Sequence, residues 1–247
     1  MQQAVILAAG TATRLRPLTD TTPKCLLEVG GRAILDWLLA GLAAAGIGRV
    51  ILVTGYFADL VHAHLAGRRF PFELRLAENP EYATTNNAVS LLVARRYTRP
   101  GSLVICDGDV VIRPEPLARL IAEPAACALL VDREAPLAGE EMKVRLDPEG
   151  RVRHLSKELS PAEAQGESIG IQKVGGPALD QLWTALEGLV RSGRTGVFYE
   201  AAFQQLLDAG VPFHAVPIAS QDWIEIDSRE DLALARRRFA TGEAGAR

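Results

Sequence analysis

The sequence predicts an α/β fold: a mostly parallel sheet with helices on both faces, carrying an antiparallel hairpin and lid in its second half. Three observations lead there. As far as residue 125, short apolar runs alternate with stretches that place apolar residues at helical spacing, the rhythm of strand–helix–strand units. From residue 126 onward the rhythm changes to polar–apolar alternation around a turn sequence. The chain, at 247 residues, is long enough for one large domain with a sizeable core.

In chain order, Val5–Ala9 reads as a buried strand. Ile34, Leu35, Leu38, Leu39 and Leu42 form one apolar face of a helix that Gly46 ends. Val50–Thr54 is the next strand, followed by a helix near Asp59–Ala66. Phe72–Ala77 reads as a strand, Ala88–Arg96 as a helix and Leu103–Cys106 as a buried strand. Ala126–Val131 is apolar; Lys143–Leu146 and Arg151–Leu155 alternate around the turn Asp147-Pro148-Glu149-Gly150, which predicts the hairpin. Ser168–Val174 is a further strand. Leu179, Leu182, Trp183, Leu186 and Leu189 share a helical face, and Phe198–Asp208 is a helix closed by Gly210. Phe213–Pro217 and Trp223–Ile226 are short extended pieces, and Ser228 caps a last helix through Phe239. Residues 1–240 are expected to form one domain, with a first half over 1–125, a second half carrying the lid over 126–240, and a frayed tail over 241–247.

The composition narrows the function. A formal net charge of −3 gives no global pull toward nucleic acid or anionic membrane, so any phosphate site is local. No apolar stretch is long enough to span a membrane, and the N-terminus lacks the basic start and apolar length of a signal peptide. Cys25, Cys106 and Cys127 have no motif spacing; Cys106 reads as a small buried hydrophobe, and a reducing cytoplasm fits best. The four histidines lack a metal-ligand arrangement, and Arg236-Arg237-Arg238 suits a solvated last helical turn. Neither a Walker A lysine pattern nor a Gly-x-Ser-x-Gly elbow occurs.

The chemistry is concentrated at the start. The run Leu7-Ala8-Ala9-Gly10-Thr11-Ala12-Thr13-Arg14-Leu15-Arg16-Pro17-Leu18 passes from apolar to small to cationic, and Pro23-Lys24 follows. Small residues let backbone N–H groups approach a ligand, and with Arg14, Arg16 and Lys24 they would make a polyphosphate pocket. Asp107-Gly108-Asp109 leaves a buried strand directly; residues two apart on a strand point to one side, so both carboxylates can face one cleft. Trp223-Ile224-Glu225-Ile226-Asp227 repeats that arrangement before a helix start. Mg²⁺ takes hard oxygen ligands, and Asp109 with Asp227 would supply them if the two segments are neighbours. Asp227 also suits a residue flanking a helix N-cap, and Asp107 a turn acid. Thr85-Asn86-Asn87 suits a helix N-cap, and equally base reading, since each amide offers a donor and an acceptor.

The opening string resembles the signature loop of the sugar-phosphate nucleotidyltransferases, roughly L-A-A-G-x-G-x-R-L-x-P-L-T with a lysine after a nearby proline. The resemblance runs from Val5 to about Ala235, and the stretches Asn79–Leu91, Glu140–Val144 and Gly166–Ile171 resemble its phosphocholine cytidylyltransferase-like branch. It implies a Rossmann-like, GT-A-like fold and a nucleotide site of Leu7, Ala8, Ala9, Gly10, Thr11, Ala12, Thr13, Asn86, Asn87, Ser90 and Asp107. It implies Mg²⁺ on Asp109 and Asp227 with Glu225 and Asp107 as supporting acids, and catalytic roles for Lys24 and Arg14. For the acceptor, Lys157 stands where the family places a phosphate-binding lysine, with Glu167 and Glu225 as neighbouring acids. Tyr199, Trp223 and Tyr82 would cage a trimethylammonium by cation–π attraction, with Glu200 adding negative charge. Phe198 reads as an ordinary core aromatic. One departure stands out: the family's second loop glycine is Ala12 here, strained if the position needs a positive φ, with a shallow change of loop path expected.

The implied activity is Mg²⁺-dependent transfer of a nucleoside monophosphate from CTP to phosphocholine or a similar small phospho-alcohol, releasing pyrophosphate. A sugar-1-phosphate acceptor with UTP, dTTP or GTP is the alternative within enzymes, and a non-catalytic nucleotide-binding module the alternative outside them. Neither nucleic acid nor membrane insertion is expected, and a homodimer is left open.

Overall fold

The computed structural model describes residues 2–240. The elements run β1 (Gln3–Ala8), β2 (Glu28–Val29), β3 (Arg32–Ala33), α1 (Ile34–Ala44), β4 (Arg49–Thr54), α2 (Ala58–Leu65), β5 (Glu73–Glu78) and α3 (Asn87–Ala94). They continue through β6 (Ser102–Asp107), β7 (Val110–Ile112), α4 (Pro114–Ala122), β8 (Ala128–Asp132), β9 (Lys143–Leu146), β10 (Arg151–Ser156), β11 (Gly166–Gly175) and α5 (Pro177–Arg191). Last come α6 (Glu200–Asp208), β12 (Phe213–Ile218), β13 (Trp223–Glu225) and α7 (Arg229–Arg238).

One nine-stranded sheet, in the order β5-β4-β1-β6-β11-β8-β12-β10-β9, runs through both halves of the sequence. The strands β5, β4, β1 and β6 are parallel, as the alternating rhythm requires. β11 lies antiparallel to both β6 and β8, and the β9–β10 hairpin closes the far edge. The predicted mixed α/β fold is thus the observed one.

The side-chain alternation along β1 explains why both faces are covered. Val5 and Leu7 join Ile51, Val53, Leu182 and Phe203 in a core roofed by α3, α5 and α6. Ala4 and Ile6 join Val50, Leu52, Leu38 and Leu117 in a second core under α1, α2 and α4. A strand buried on both sides reads as an unbroken apolar run, which is what Val5–Ala9 shows. A third, smaller cluster of Leu15, Val111, Ile224, Ile226 and Phe239 ties the opening loop to the chain's last helix.

Two segments depart from the expected boundaries for local reasons. The helix expected from Phe198 begins at Glu200, and Phe198 is 39% exposed, so it is not the core aromatic its neighbours suggested. Phe72 precedes β5 and packs in the second core. The Ser228 cap is a full capping box: Ser228 Oγ accepts from Asp231 N, and the Asp231 carboxylate accepts from Ser228 N at 2.7 Å. The following arginines are more than solvated: Arg238 donates to the carbonyls of Ser220 and Trp223 at 2.6 Å, and Arg236 to that of Glu28. Cys25, Cys106 and Cys127 are buried and unpaired, and among the described residues no helix is long and apolar enough to cross a membrane. The tail expected to fray over 241–247 lies outside the described residues.

Candidate active site

Ligands of parallel α/β sheets bind at the carboxyl ends of the strands, and the candidate residues collect there. The loop leaving β1 turns at Ala12, whose φ of +49° and ψ of +48° are left-handed. Its carbonyl accepts from Leu15 N at 3.1 Å and Thr19 Oγ1 at 2.9 Å, which holds the turn despite the methyl group. A single helical turn, Lys24–Leu26, then brings Lys24 back beneath the loop.

Two three-residue strands position the acids. β7 and β13 pair antiparallel, with Trp223 opposite Ile112 and Glu225 opposite Val110, and Ile226 N donates to Asp109 O at 3.1 Å. This small ladder sets Asp109 beside Asp227. Lys24 Nζ donates to Asp109 Oδ2 at 2.9 Å and to Asp227 Oδ1 at 2.6 Å. Arg14 reaches Asp227 Oδ2 at 2.7 Å and lies 3.8 Å from Glu140 Oε2. Burial works against the Lys24 charge, but the Asp109 and Asp227 carboxylates outweigh it and hold the ammonium above the usual lysine range. Asp227 is also part-buried, yet Lys24 and Arg14 hold its carboxyl below the usual range.

Oxygens of Asp109, Glu225 and Asp227 lie within 4.8 Å of one another, and Asp109 Oδ1 is buried with no hydrogen-bond partner. A converging set of hard oxygens with one atom unspent fits a divalent cation. Glu225 faces the cleft, where loss of hydration and then the Asp109 and Asp227 charges push its carboxyl up to about 8. Asp107 takes no part in the three-acid cluster. Burial first, then the Glu200, Asp109 and Glu225 charges, push its carboxyl up, and Tyr199 Oη lies 3.2 Å from its Oδ2. Two glycines let backbones close around this strand end. A Cβ on Gly108 would sit 2.5 Å from Leu7 O, and one on Gly170, whose φ is +73°, 2.4 Å from Asp107 Oδ2.

The cleft these groups enclose is a cavity of about 260 Å³. Leu7, Ala9, Gly10, Tyr82, Asn86, Asn87 and Ser90 line it, together with Asp107, Lys157, Glu200 and Glu225. Ala8 and Ala12 face a smaller adjoining cavity with Lys24 and Asp109. Thr11 is half-buried beside them, and Thr13 is exposed at the start of a short helical turn. Asn86 is the N-cap of α3, its Oδ1 accepting from Asn87 N at 2.8 Å, while Asn87 Oδ1 accepts from Tyr199 N at 2.8 Å. Both amides therefore carry structural bonds as well as facing the cleft.

The aromatic cage is not formed. Tyr199 is 0% exposed, and its hydroxyl lies 2.8 Å from Gln172 Oε1 in the floor of the cleft. Trp223 is 7% exposed and donates Nε1 to Asp132 Oδ2 at 2.8 Å. Tyr199 is spent on packing and buried partners and Trp223 lines only an adjoining cavity, so neither ring lines the cleft. Lys157 Nζ instead lies 4.6 Å above the ring of Phe198, which does line the cleft. Glu167 faces an adjoining cavity with Trp223 and Glu141, and burial with the Glu141 and Asp132 charges pushes it up to about 7. Sequence reasoning did not place Glu140, Met142, Ser168, Gly170 and Phe198 in the cleft; the runs Glu140–Val144 and Gly166–Ile171 hinted at the first four.

A small-residue loop leaving the first strand, a lysine bridging two carboxylates and a three-carboxylate cluster on a mixed α/β sheet are the parts of a nucleotidyltransferase site. The chain belongs to the MobA-like NTP transferase family, whose domain matches residues 4–190. It is 31% identical over 246 residues to a CMP-5'-(3-aminopropyl)phosphonate synthase of Streptomyces rubellomurinus, covering 96% of this chain and 39% of that one. This chain therefore spans about two fifths of that relative's length. It is 28% identical over 232 residues to a 2-aminoethylphosphonate cytidylyltransferase of Lancefieldella rimae, covering 93% of this chain and 90% of that one. The solved CTP:phosphocholine cytidylyltransferase of Streptococcus pneumoniae shares the fold, with a TM-score of 0.78 at 20% identity over 96% of this chain and 98% of that one.

Proposed function

We propose that this chain transfers a cytidylyl group from CTP to a small acceptor bearing a phosphate or phosphonate, releasing pyrophosphate, with Mg²⁺ on Asp109 and Asp227. The observation that carries this reading is the Lys24 ammonium spanning two carboxylates, one of which keeps a buried oxygen free. CTP as donor is favoured by what the relatives are named for.

An acceptor oxygen attacks the α-phosphorus in line; that P–O bond forms while the bond to the β-phosphate oxygen breaks. The acceptor is already ionised, so no general base is required. Backbone N–H groups of residues 8–13 cradle the triphosphate. Asn86, Asn87 and Ser90 read the base. Arg14 holds the leaving pyrophosphate, and Lys24 moves from the carboxylates to bridge the donor and acceptor phosphates. A divalent cation, when bound, neutralises charge on the α-phosphate. Lys157 draws the acceptor's anionic end into the cleft.

The acceptor's other end carries positive charge on this reading, since Glu200 also lines the cleft. Without the aromatic cage, phosphocholine loses the feature that favoured it. The buried thiols of Cys25, Cys106 and Cys127 suit a reducing compartment such as the cytoplasm.

Pyrophosphate release with Mg²⁺ across CTP, UTP, dTTP and GTP, each paired with aminoalkylphosphonates, phosphocholine and hexose-1-phosphates, tests the reading. CTP-dependent release with a small cationic acceptor is expected. Release with a hexose-1-phosphate and another nucleotide, or nucleotide binding without release, would overturn it.

A further inference from the structure

Glu200 is a cleft side chain that keeps an unpaired acid oxygen. It opens α6, is 5% exposed, and its Oε2 is buried without a hydrogen-bond partner. It nevertheless lines the cleft, together with Lys157, Phe198 and Ser168. Its own N–H and the Tyr199 hydroxyl lie close enough to favour the carboxylate, but neither is bonded to Oε2. The Tyr199 hydroxyl lies against Asp107 and Gln172, and Tyr199 N donates to Asn87. A carboxylate oxygen withdrawn from water without a donor is costly to keep. An unpaired oxygen on a residue that lines a ligand cleft points to a donor that the ligand brings.

We infer that Glu200 selects the acceptor's head group, and that it selects a head with N–H donors, a primary ammonium, over a fully methylated one. The inference rests on the proposed acceptor reading of this cleft. A primary ammonium offers three N–H donors to Oε2 and a charge to match the carboxylate. A trimethylammonium has none, so it leaves the oxygen unpaired. Its usual compensation is open aromatic faces, and here Tyr199 and Trp223 are buried while Lys157 already covers Phe198. Arg14, in the cleft, and Lys24, in the adjoining cavity, take the phosphate or phosphonate. The preferred acceptor is therefore a short zwitterion.

Phosphoethanolamine and phosphocholine differ only in N-methylation and form the decisive pair. Initial rates with CTP are compared for the full-length chain and for Glu200→Gln, both first checked for CTP binding by calorimetry. The unsubstituted protein is expected to favour phosphoethanolamine by at least ~10²-fold in kcat/KM. Glu200→Gln is expected to bring that ratio to within about tenfold, through a raised acceptor KM, with the KM for CTP within about twofold. A ratio unchanged by the substitution, or a preference for phosphocholine in the unsubstituted protein, overturns the inference. So does a loss confined to the KM for CTP and absent with 2′-deoxy-CTP, which would assign Glu200 to the ribose. If Glu200→Gln does not fold, Glu200→Asp with the same pair is expected to keep the preference, and its loss of preference with the charge intact overturns the inference. If no acceptor yields pyrophosphate from CTP, the proposed function itself falls; turnover with an unmoved ratio removes only the role of Glu200.

Discussion

Lys24 Nζ donates to Asp227 Oδ1 at 2.6 Å, joining two residues 203 positions apart in the chain. The same ammonium reaches Asp109 Oδ2, so one cation holds together the ends of β7 and β13. In the ligand-free protein it neutralises the carboxylates that the proposed cation would otherwise occupy. On the proposed mechanism, a cation held by these carboxylates would exchange places with the lysine.

Lys24→Ala removes that neutralising charge and leaves Asp109, Glu225 and Asp227 facing one another. In metal-free buffer the variant should lose about 1–3 kcal/mol of stability, held down by the open side of the cleft. Added Mg²⁺ should raise its melting temperature more than that of the unsubstituted protein, because the lysine no longer competes. Pyrophosphate release should fall at least ~10²-fold. Thermal melts with and without Mg²⁺ check the first two outcomes, and an equal Mg²⁺ effect on both proteins would argue against the exchange.

Asp109→Ala removes the unpartnered Oδ1 and one of the two Lys24 partners. Manganese binding, read by electron paramagnetic resonance, should weaken at least ~10-fold, and turnover should fall ~10²-fold or more with circular dichroism unchanged. Chelation should abolish turnover in the unsubstituted protein, and Mg²⁺ should restore it. Retained turnover in chelator would remove the cation from the mechanism.

The sheet and the phosphate loop were legible because they are written locally. Val5–Ala9 is a continuous apolar run, and the break into small residues at Ala8–Gly10 marks the strand end. The pairing of Asp109 with Asp227 was legible only through resemblance: β7 and β13 are three residues each, too short for periodicity to reveal. The aromatic cage failed for a different reason. Where Tyr199 points depends on Gln172 and Asp107, which belong to two other strands, and no local pattern reports such a partner. Phe198 erred in the opposite direction, because its exposure follows from the helix starting two residues later than the apolar pattern suggests.

Ala12 stands where a glycine was expected and adopts the left-handed conformation all the same. That geometry costs an alanine about 1 kcal/mol, whereas a glycine gives up ~0.5–1 kcal/mol through the freedom it gains in the unfolded chain. Ala12→Gly should therefore change stability by no more than about 1 kcal/mol, in the stabilising direction if in either. Ala12→Val, with a branched Cβ at positive φ, should cost at least ~1 kcal/mol. Urea unfolding checks both. Turnover by Ala12→Gly should stay within a few-fold of the unsubstituted protein, since the carbonyl bonds to Leu15 N and Thr19 Oγ1 set the loop path.

Glu200 also predicts a pH dependence of folding. Burial pushes its carboxyl from the ordinary 4.5 up to about 7, against the pull of Lys157 and of hydrogen bonds from its own N–H and Tyr199. Between those values the folded protein keeps a proton that the unfolded chain has released. The folded state therefore binds more protons, and stability falls as pH rises from about 4.5 to about 7. Glu200→Gln cannot lose that proton, so its urea midpoint should fall less over the same window, by an amount of order 1–3 kcal/mol. Asp107 and Glu225 are raised for the same reason and act in the same direction, so part of the slope should persist in the variant. Unfolding in urea at pH 5 and pH 7.5, without ligand or metal, measures the difference. Identical slopes would mean that the Glu200 carboxylate finds a solvent or protein partner in solution, and its free oxygen would no longer call for an acceptor's N–H.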